Sequence, residues 1–387
     1  MTRPGRGLFF ALTSQVATAD PSTMPREPND FGSVVIVHDY LNQRGGAERV
    51  VLEMASMWPR APIYTSLYRP DSTFPEFQGR DIRTTFIDVL PVDRGFRNLF
   101  PLYLPAFASL GTLNADVIVS SSSGWAHWIR GDACSLHVVY CHTPPRWLYC
   151  DHDLGGSRRH RALRPLRGPL RRADRTAARH ADLYLTNAEH VRRRIRAAYG
   201  LDAVVVPPPV DTGRFTPRAR GERLLVVSRL LPYKRVDLVV DAATKAGLAL
   251  DVVGTGPVLD DLRARAGPTV TFHGRLPDES VTELMETCRA FVLPGAEDFG
   301  ITPVESNAAG KPVVAFAAGG ALETLDDGFS AALFSSQTPE DLLDAISRCD
   351  AIDTAPEQLA RRAERFSAAA FRDRLSRVLS EALAARA

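Results

Sequence analysis

The sequence has few cysteines, and no pattern that would pair them. Five cysteines are scattered over 387 residues, and none belongs to a C-x-x-C pair. An odd, scattered set of cysteines argues against a disulfide framework. His142, Asp151, His152 and Asp153 do not have the spacing of a zinc site. Scattered reduced thiols are typical of a cytosolic protein, and we therefore expect a cytoplasmic location.

The sequence also lacks long apolar runs and a strong net charge. No run approaches the roughly 18 apolar residues that would cross a bilayer. The net charge is only +2, which gives little overall attraction to polyanions. Neither a Walker loop nor the GxGxxG fingerprint occurs, which argues against a P-loop ATPase and a dinucleotide-dependent dehydrogenase.

The first residues, 1–32, are predicted to form a disordered leader. Two arginines precede a short apolar stretch, and Ala17–Ala19 resembles a small-residue cleavage site. Thr13, Ser14 and Gln15 interrupt the apolar stretch, so a secretory signal is the less favoured alternative.

From Val34 onward, short β-branched runs alternate with helical stretches. Near-continuous apolar strands separated by helices are typical of a parallel sheet covered on both faces. The prolines at 207–209 exclude a central strand or helix there, and the alternation restarts afterwards. The predicted strands are Val34–His38, Asp116–Ser120, His137–His142, Asp182–Asn187, Val204–Val206, Leu224–Ser228, Leu248–Val253, Thr269–Phe272, Ala290–Leu293 and Pro312–Phe316.

This pattern predicts an α/β protein with two Rossmann-like doubly wound domains that face a central cleft. Open parallel sheets bind ligands outside the carboxyl ends of their strands, so we expect the site in that cleft. The predicted boundaries are 1–32 for the leader, 33–206 for the N-terminal domain, 207–221 for a linker, 222–366 for the C-terminal domain and 367–387 for a final helix.

Two carboxylates flank a predicted helix start in the second half. Glu297 precedes the Phe299-Gly300-Ile301 segment, and Glu305 follows it inside the helix. The free amides and positive end of such a helix form an anion site. Two acids beside an anion site fit a ligand that also offers hydroxyl groups, as sugars and ribose do. Solvated acids on a helix surface are the alternative.

Cations and glycines follow the predicted strands at the same edge. Arg229 and Lys234 come after the first strand of the second half, where an arginine fork and a lysine charge could hold phosphate, although exposed loop cations are the simpler alternative. The pairs Gly254/Gly256 and Gly45/Gly46 would let backbone approach a ligand closely. A plain turn is the alternative for the first of these pairs.

Together, and in this order, these clusters resemble the family 4 glycosyltransferases from about Val34 to the C-terminus. Glu297-x7-Glu305 matches their E-x7-E signature, and Arg229 with Lys234 matches their R-x4-K. The glycine pairs match the family's glycine loops. Further agreement comes from Gly310–Val314 and from Gly319-Gly320 with Glu323. Ser306-Asn307 stands where Ala-Met is common in the family.

The resemblance implies a GT-B fold, retention of anomeric configuration, and a nucleotide-sugar donor with no metal or other cofactor required. The N-terminal domain would lie on the acceptor side, the C-terminal domain would bind the nucleotide sugar, and the final helix would cross back to the N-terminal domain. Arg229 and Lys234 would hold the donor diphosphate. Glu297 and the backbone of Phe299, Gly300 and Ile301 would meet the donor sugar, Glu305 the ribose, and Gly46 the reacting phosphate.

His142 ends a predicted strand in the run Cys141-His142-Thr143-Pro144-Pro145-Arg146. Its position matches the family's active-site histidine, which lies near the transferred sugar. A cleft histidine can carry or donate a proton, so we prefer this role to a structural one. For His38 and Asp39, which also end a strand, we expect structural or acceptor contacts.

The segments Arg229–Leu238 and Cys141–Arg146 are similar to a branch often described as mannosyltransferases. GDP-mannose is therefore the preferred donor, with UDP-glucose and UDP-N-acetylhexosamine as alternatives. The acceptor would be a glycan or a lipid-linked molecule.

Nine arginines and one acid, Asp174, lie between Arg158 and Arg179. A solvated basic face is the default interpretation of such a run. The sharper alternative is peripheral contact with anionic lipid head groups, which would place the protein at the inner face of a membrane.

Other function classes remain open. Another GT-B enzyme, such as a nucleotide-sugar epimerase or a glycogen-type synthase, would share the same clusters. A nucleic-acid-binding protein could use the arginines, but the near-neutral charge and the lack of a recognition motif argue against it.

Overall fold

The computed structural model describes residues 31–90, 100–150 and 164–386, so the predicted leader lies outside them except for its last two residues. Of these two, Phe31 is buried and packs edge-on against Trp58, with ring centroids 6.3 Å apart.

Fifteen strands are described. They are β1 Val34–His38, β2 Ile63–Thr65, β3 Ile82–Thr84, β4 Thr112–Leu113, β5 Val117–Ser122, β6 Arg130–Gly131, β7 Leu136–Cys141, β8 Leu183–Thr186, β9 Val204–Val205, β10 Leu224–Val227, β11 Leu250–Val253, β12 Val270–Gly274, β13 Ala290–Leu293, β14 Val313–Phe316 and β15 Ala331–Phe334.

Between and after the strands lie the described helices. They are α1 Gly46–Met57, α2 Phe100–Ala108, α3 Arg146–Tyr149, α4 Arg167–Ala178, α5 Glu189–Tyr199, α6 Val236–Ala246, α7 Leu259–Arg265, α8 Asp278–Thr287, α9 Ile301–Ala308, α10 Ala321–Thr324, α11 Pro339–Asp350, α12 Pro356–Ala363 and α13 Ala368–Ala384.

The strands form two large parallel sheets. The first sheet has the order β3-β2-β1-β5-β7-β8-β9, and the second has the order β12-β11-β10-β13-β14-β15. We call the parts of the chain that carry them the first half and the second half. In both sheets the first strand lies centrally and the chain winds outward on either side of it, which is a doubly wound arrangement. The predicted α/β class with two Rossmann-like parts is confirmed.

The central strands show why the sequence pattern was readable. Every residue of β1, β5 and β7 is buried, because helices cover both faces of the sheet. Strands buried on both faces read as nearly continuous apolar runs. Strand β5 departs from this rule at its carboxyl end, where Ser120, Ser121 and Ser122 are buried. These three serines bind histidines of the first half.

The last helix, α13, packs against the first sheet although it follows the second half in sequence. Its residues Phe371, Leu375 and Leu379 belong to the same core cluster as β1 and α1. Arg372 on this helix forms an ion pair with Glu53 on α1. The backbone N–H of Val210, in the segment that leads from the first half to the second, donates to the carbonyl oxygen of Phe366 just before α13. The two segments that connect the halves therefore run side by side.

The segment predicted as a linker is tied to the second half by a buried lysine. Lys311 Nζ donates to the carbonyl oxygens of Arg218 at 2.5 Å and Ala219 at 2.9 Å. Burial in this setting lowers the pKa of Lys311. The boundaries at 206/207 and 221/222 remain predictions.

Candidate functional site

A cleft of about 670 Å³ lies between the two halves, at the carboxyl ends of both sets of strands. Most of the predicted site residues line it. From the first half these are Gly45, Gly46 and His142; from the second half they are Arg229, Lys234, Glu297, Phe299, Gly300 and Ile301. The structure therefore brings together residues that are up to 256 positions apart in sequence, from Gly45 to Ile301.

The glycines at the start of α1 allow the two halves to approach each other. A Cβ atom added at Gly46 would lie 2.8 Å from Ile301 Cδ1 of the second half. Gly45 precedes the first turn of α1 and provides no side-chain cap, so the first amides of this helix have no side-chain acceptor there. The first half thus presents a helix N-terminus to the cleft, where it favours an anion.

A second helix N-terminus faces the cleft from the second half. Gly300 precedes α9 with φ of 87°, a conformation that glycine adopts without strain, and no side chain caps the helix. The loop of Gly319 and Gly320 supports the segment before it. A Cβ at Gly320 would lie 2.3 Å from the carbonyl oxygen of Phe299, so only glycine fits there.

The two predicted phosphate-binding cations differ in their surroundings. Lys234 Nζ forms an ion pair with Glu297 and lies 5.2 Å from the centroid of the Tyr233 ring. Arg229 is exposed at the cleft, and among the described residues its side chain has neither a hydrogen bond nor an ion pair. Of these two cations in the described cleft, the Arg229 guanidinium is therefore free and the Lys234 ammonium is held by a carboxylate.

His142 is buried at the end of β7, with only 8% of its surface exposed. Its Nε2 lies 2.8 Å from Ser121 Oγ on β5, and its carbonyl oxygen accepts from Asn187 Nδ2 at 3.1 Å. Burial, reinforced by the neighbouring His38, lowers the pKa of His142 to about 3. His142 is therefore neutral at physiological pH.

Asp39, beside His38 at the end of β1, holds the loop after β5. Its carboxylate accepts backbone N–H groups of Ser123 at 2.6 Å, Trp125 at 2.7 Å and Ala126 at 2.8 Å. These three bonds use the carboxylate to fix the backbone of the cleft wall, which is a structural role; acceptor contact of Asp39, the other role expected, stays a prediction.

Glu305 does not line the cleft in the described structure. It lies one turn inside α9, where Arg214 Nη2 donates to its Oε1 at 3.3 Å. Burial raises the pKa of Glu305, while Arg214 and Arg49 oppose this shift. Contact of Glu305 with a ribose stays a prediction. The neighbouring Ser306 and Asn307 are fully buried, and both side chains donate to the Lys311 carbonyl oxygen. The replacement of the family's common Ala-Met by Ser-Asn therefore affects packing behind the cleft.

Gly254 and Gly256 pack against the loop that carries Arg229. A Cβ at Gly254 would lie 1.8 Å from the Ser228 carbonyl oxygen, and one at Gly256 would lie 2.1 Å from that of Leu230. Neither residue lines the described cleft. These glycines thus position the Arg229 loop, and direct donor contact stays a prediction.

Sequence reasoning missed the contacts that hold the halves together. Asp298 accepts from Arg146 at 2.6 Å and from Arg194 at 2.7 Å, both in the first half. Glu323 accepts the backbone N–H groups of Glu189 and His190 at the start of α5, both at 2.7 Å. Asp298 lies within the motif segment 297–300 that the sequence singles out. Its arginine partners are more than 100 positions away in the sequence, so only the fold identifies them.

No group of three or more potential metal ligands is found in the part of the chain that the structure describes. No described helix is both long and apolar enough to cross a membrane. All five cysteines are unpaired thiols.

Comparison with known families decides which of the predicted classes applies. The model "Glycosyltransferase Family 4" matches residues 44–214, and "Glycosyl transferases group 1" matches residues 214–366. The two matches meet at Arg214 and together cover residues 44–366, which carry most of both halves. The chain belongs to the family 4 glycosyltransferases.

Curated relatives match part of this chain. A GDP-mannose-dependent alpha-(1-6)-phosphatidylinositol monomannoside mannosyltransferase of Mycolicibacterium smegmatis is 35% identical over an alignment of 191 residues that covers 41% of this chain and 50% of that protein. A D-inositol 3-phosphate glycosyltransferase of Actinosynnema mirum is 30% identical over an alignment of 204 residues that covers 43% of this chain and 49% of that protein. The chain thus spans about half the length of the curated relatives it matches.

Solved structures confirm the GT-B fold. Anabaena Alr3699/HepE in complex with UDP and glucose has a TM-score of 0.68 at 20% identity, covering 90% of this chain and 100% of that one. Sucrose-phosphate synthase from Thermosynechococcus elongatus has a TM-score of 0.69 at 17% identity, covering 91% and 100%.

The buried histidines predict a pH dependence of stability. Burial lowers the pKa of His142 and of His137, which bonds Ser120 Oγ, to about 3. The unfolded chain takes up these protons below its ordinary pKa of about 6.5, whereas the folded protein does not. The free energy of unfolding should therefore fall as the pH drops from about 6.5 towards 3, by up to ~1.4 kcal/mol per pH unit for each histidine.

Replacing His137 tests its contribution to the pH dependence of stability. The free energy of unfolding is measured by urea denaturation at several pH values. In His137→Gln the free energy of unfolding should fall less steeply as the pH drops, because about one proton fewer is taken up on unfolding. Ser120→Ala removes the same hydrogen bond but keeps the imidazole, so its pH slope should match the wild type. Equal slopes in all three proteins would contradict a buried neutral His137.

Proposed function

We propose that this protein is a retaining glycosyltransferase that moves a hexose, with mannose favoured, from a nucleotide diphosphate sugar to a glycan or lipid-linked acceptor. The observation that carries the proposal is the single cleft lined by Arg229, Lys234, the N-termini of α1 and α9, and His142. Four positive or electropositive groups around one space fit a diphosphate better than a neutral ligand.

The chemistry follows from where charge develops. When the bond between the anomeric carbon and the diphosphate breaks, negative charge grows on the leaving phosphate. Cations and helix N-termini fixed beside it stabilise that charge without reorganising. Lys234 and Glu297 form an ion pair in the structure. When the donor binds, Lys234 would turn to the phosphate, and the Glu297 carboxylate would then accept hydrogen bonds from sugar hydroxyl groups.

Relatives support the choice of donor. The 35% identical mycolicibacterial protein is described as GDP-mannose-dependent, which favours GDP-mannose. The Anabaena structure holds UDP and glucose, which keeps UDP-glucose as the alternative donor. We propose that transfer retains the anomeric configuration and needs no metal, as the family resemblance implies. Product analysis with an added acceptor would distinguish transfer from an epimerase reaction.

Ligand-induced stabilisation tests the donor proposal. Thermal unfolding is measured without metal in the presence of GDP, UDP, ADP and their sugar conjugates. A ligand at 100 times its dissociation constant should add ~2.7 kcal/mol to the free energy of unfolding. We expect the largest shift with GDP or GDP-mannose, and its loss in Lys234→Ala.

The matched control is Lys245→Ala. Lys245 is exposed on α6, pairs with Glu340 and lies outside the cleft, so this variant should respond as the wild type does. A response to UDP alone would keep the reaction class and change the donor. A folded protein that responds to no nucleotide would overturn the proposal.

We further propose that the arginine-rich stretch 158–179 contacts anionic lipid at a membrane surface, where a lipid-linked acceptor would be found. Residues 158–163 lie outside the described part, but α4 supports the proposal. Its single acid, Asp174, is buried and accepts from His127, Trp128 and Tyr149. Arg172 and Arg179 are exposed, so this helix presents cations to solvent without a compensating acid of its own.

Vesicle cosedimentation tests this contact. Each arginine near an anionic surface contributes ~1 kcal/mol, so Arg172→Gln with Arg179→Gln should weaken binding to phosphatidylglycerol vesicles roughly 30-fold. The control Arg263→Gln with Arg275→Gln makes the same charge change on exposed residues of the second half. Equal binding by both double variants, or equal binding of the wild type to neutral vesicles, would contradict the proposal.

A further inference from the structure

A chain of buried polar groups connects His142 to His38, and both histidines line the cleft. Ser121 Oγ on β5 lies 2.8 Å from His142 Nε2 and 3.1 Å from His38 Nδ1 on β1. His38 Nδ1 also lies 3.1 Å from the Ser121 carbonyl oxygen. All three residues are at least nine-tenths buried, so water does not substitute for these partners.

The direction of each hydrogen bond follows from the one group that cannot donate. A carbonyl oxygen only accepts, so His38 Nδ1 forms the hydrogen bond to the Ser121 carbonyl oxygen only as an N–H donor. Ser121 Oγ, at the same distance from that N–H, can then accept it. The hydroxyl group has one hydrogen of its own, and His142 Nε2 is the acceptor within its reach. His142 Nε2 is therefore unprotonated, and the ring hydrogen lies on Nδ1.

The surroundings of His38 Nε2, the other ring nitrogen, do not alter this assignment of the hydrogens. Its Nε2 lies 3.8 Å from Glu48 Oε1, and neither Nε2 nor Glu48 Oε2 has a hydrogen-bond partner. With or without a second proton between this pair, His38 Nδ1 keeps its hydrogen. Glu48 lies in the first turn of α1, and its carboxylate is close to Gly45. This series of buried polar groups therefore ends at the glycine loop of the cleft.

We propose that Ser121 and His38 are positioning residues that hold His142 as its Nδ1–H tautomer, so that its free ring nitrogen is a hydrogen-bond donor to the bound sugar. His142 lines the cleft, and no bond to its Nδ1 is recorded among the described residues. The burial that lowers the pKa of His142 to about 3 keeps the ring neutral.

This inference rests on the proposed function and sharpens it. A nitrogen that already carries a hydrogen cannot accept one, so His142 cannot take the acceptor's proton at its cleft face. That proton must leave by another group, such as a phosphate oxygen of the departing diphosphate. The histidine then contributes only a neutral donor to an oxygen of the sugar.

Nitrogen NMR of the full-length protein tests the tautomer without any substrate. In ¹⁵N-histidine-labelled protein at neutral pH, long-range ¹H–¹⁵N correlations distinguish a protonated Nδ1 from a protonated Nε2. The His142 signals are assigned by their loss in His142→Gln. We expect Nδ1–H in the wild type, and a mixture of both tautomers in Ser121→Ala. Ser121→Thr, which keeps the hydroxyl group, should restore the wild-type pattern.

Ser120→Ala is the matched control. Ser120 is the neighbouring residue on β5 and bonds the buried His137, which does not line the cleft. This variant should leave the His142 spectrum and turnover unchanged. Ser121→Ala should lower kcat roughly tenfold, the effect of about one hydrogen bond, with KM for the donor changed by less than about twofold.

Two results would overturn the inference: Nε2–H or a doubly protonated His142 in the wild type, or a Ser121→Ala spectrum identical to that of Ser120→Ala. If Ser121→Ala does not fold, the wild-type spectrum still decides. An Nδ1–H signature in a protein that turns over no nucleotide sugar would support the hydrogen-bond chain and overturn the proposed function.

Discussion

The uniform direction of the strands is the constraint on which the rest of this structure depends. Because every recorded pairing within the two large sheets is parallel, all the carboxyl ends of a sheet lie at one edge, and each strand is followed there by a loop. Those loops carry Asp39, Ser123, His142, Arg229 and the 294–300 segment. The cleft exists because the two such edges face each other, so its chemistry is assembled by topology from residues scattered along the chain.

Facing edges must also be kept together, and electrostatics does this close to the cleft. Asp298 is bound by two arginines of the first half, and Glu323 caps the N-terminus of α5. Asp298 belongs to the same short segment as Glu297 and Phe299, so its ion pairs fix the backbone that enters α9. Contacts between the halves and the geometry of the predicted sugar site are therefore coupled, and loss of Asp298 would disturb both.

Much of the fold could be predicted from the sequence, because strands buried on both faces and separated by helices leave a periodic signal. All ten predicted strands are present, with ends that shift by one or two residues. The five described strands that were missed are only two to four residues long, and the last of them begins with two alanines: Ile63–Thr65, Ile82–Thr84, Thr112–Leu113, Arg130–Gly131 and Ala331–Phe334. The site was predictable through motifs that end strands. The ion pairs of Asp298, the hydrogen bonds of Ser121 and the position of Glu305 behind the cleft depend on distant partners that no local pattern reveals.

The central claim is that one ligand occupies the space between the halves, and hydrogen–deuterium exchange tests it most directly. Exchange is followed in the full-length protein with and without GDP-mannose, and again with UDP-glucose. The account predicts slower exchange both in the first turn of α1, at residues 45–48, and at residues 299–302, because backbone amides at both helix N-termini would contact the ligand. Protection confined to one half, or the absence of protection at a nucleotide concentration that saturates binding, would contradict it.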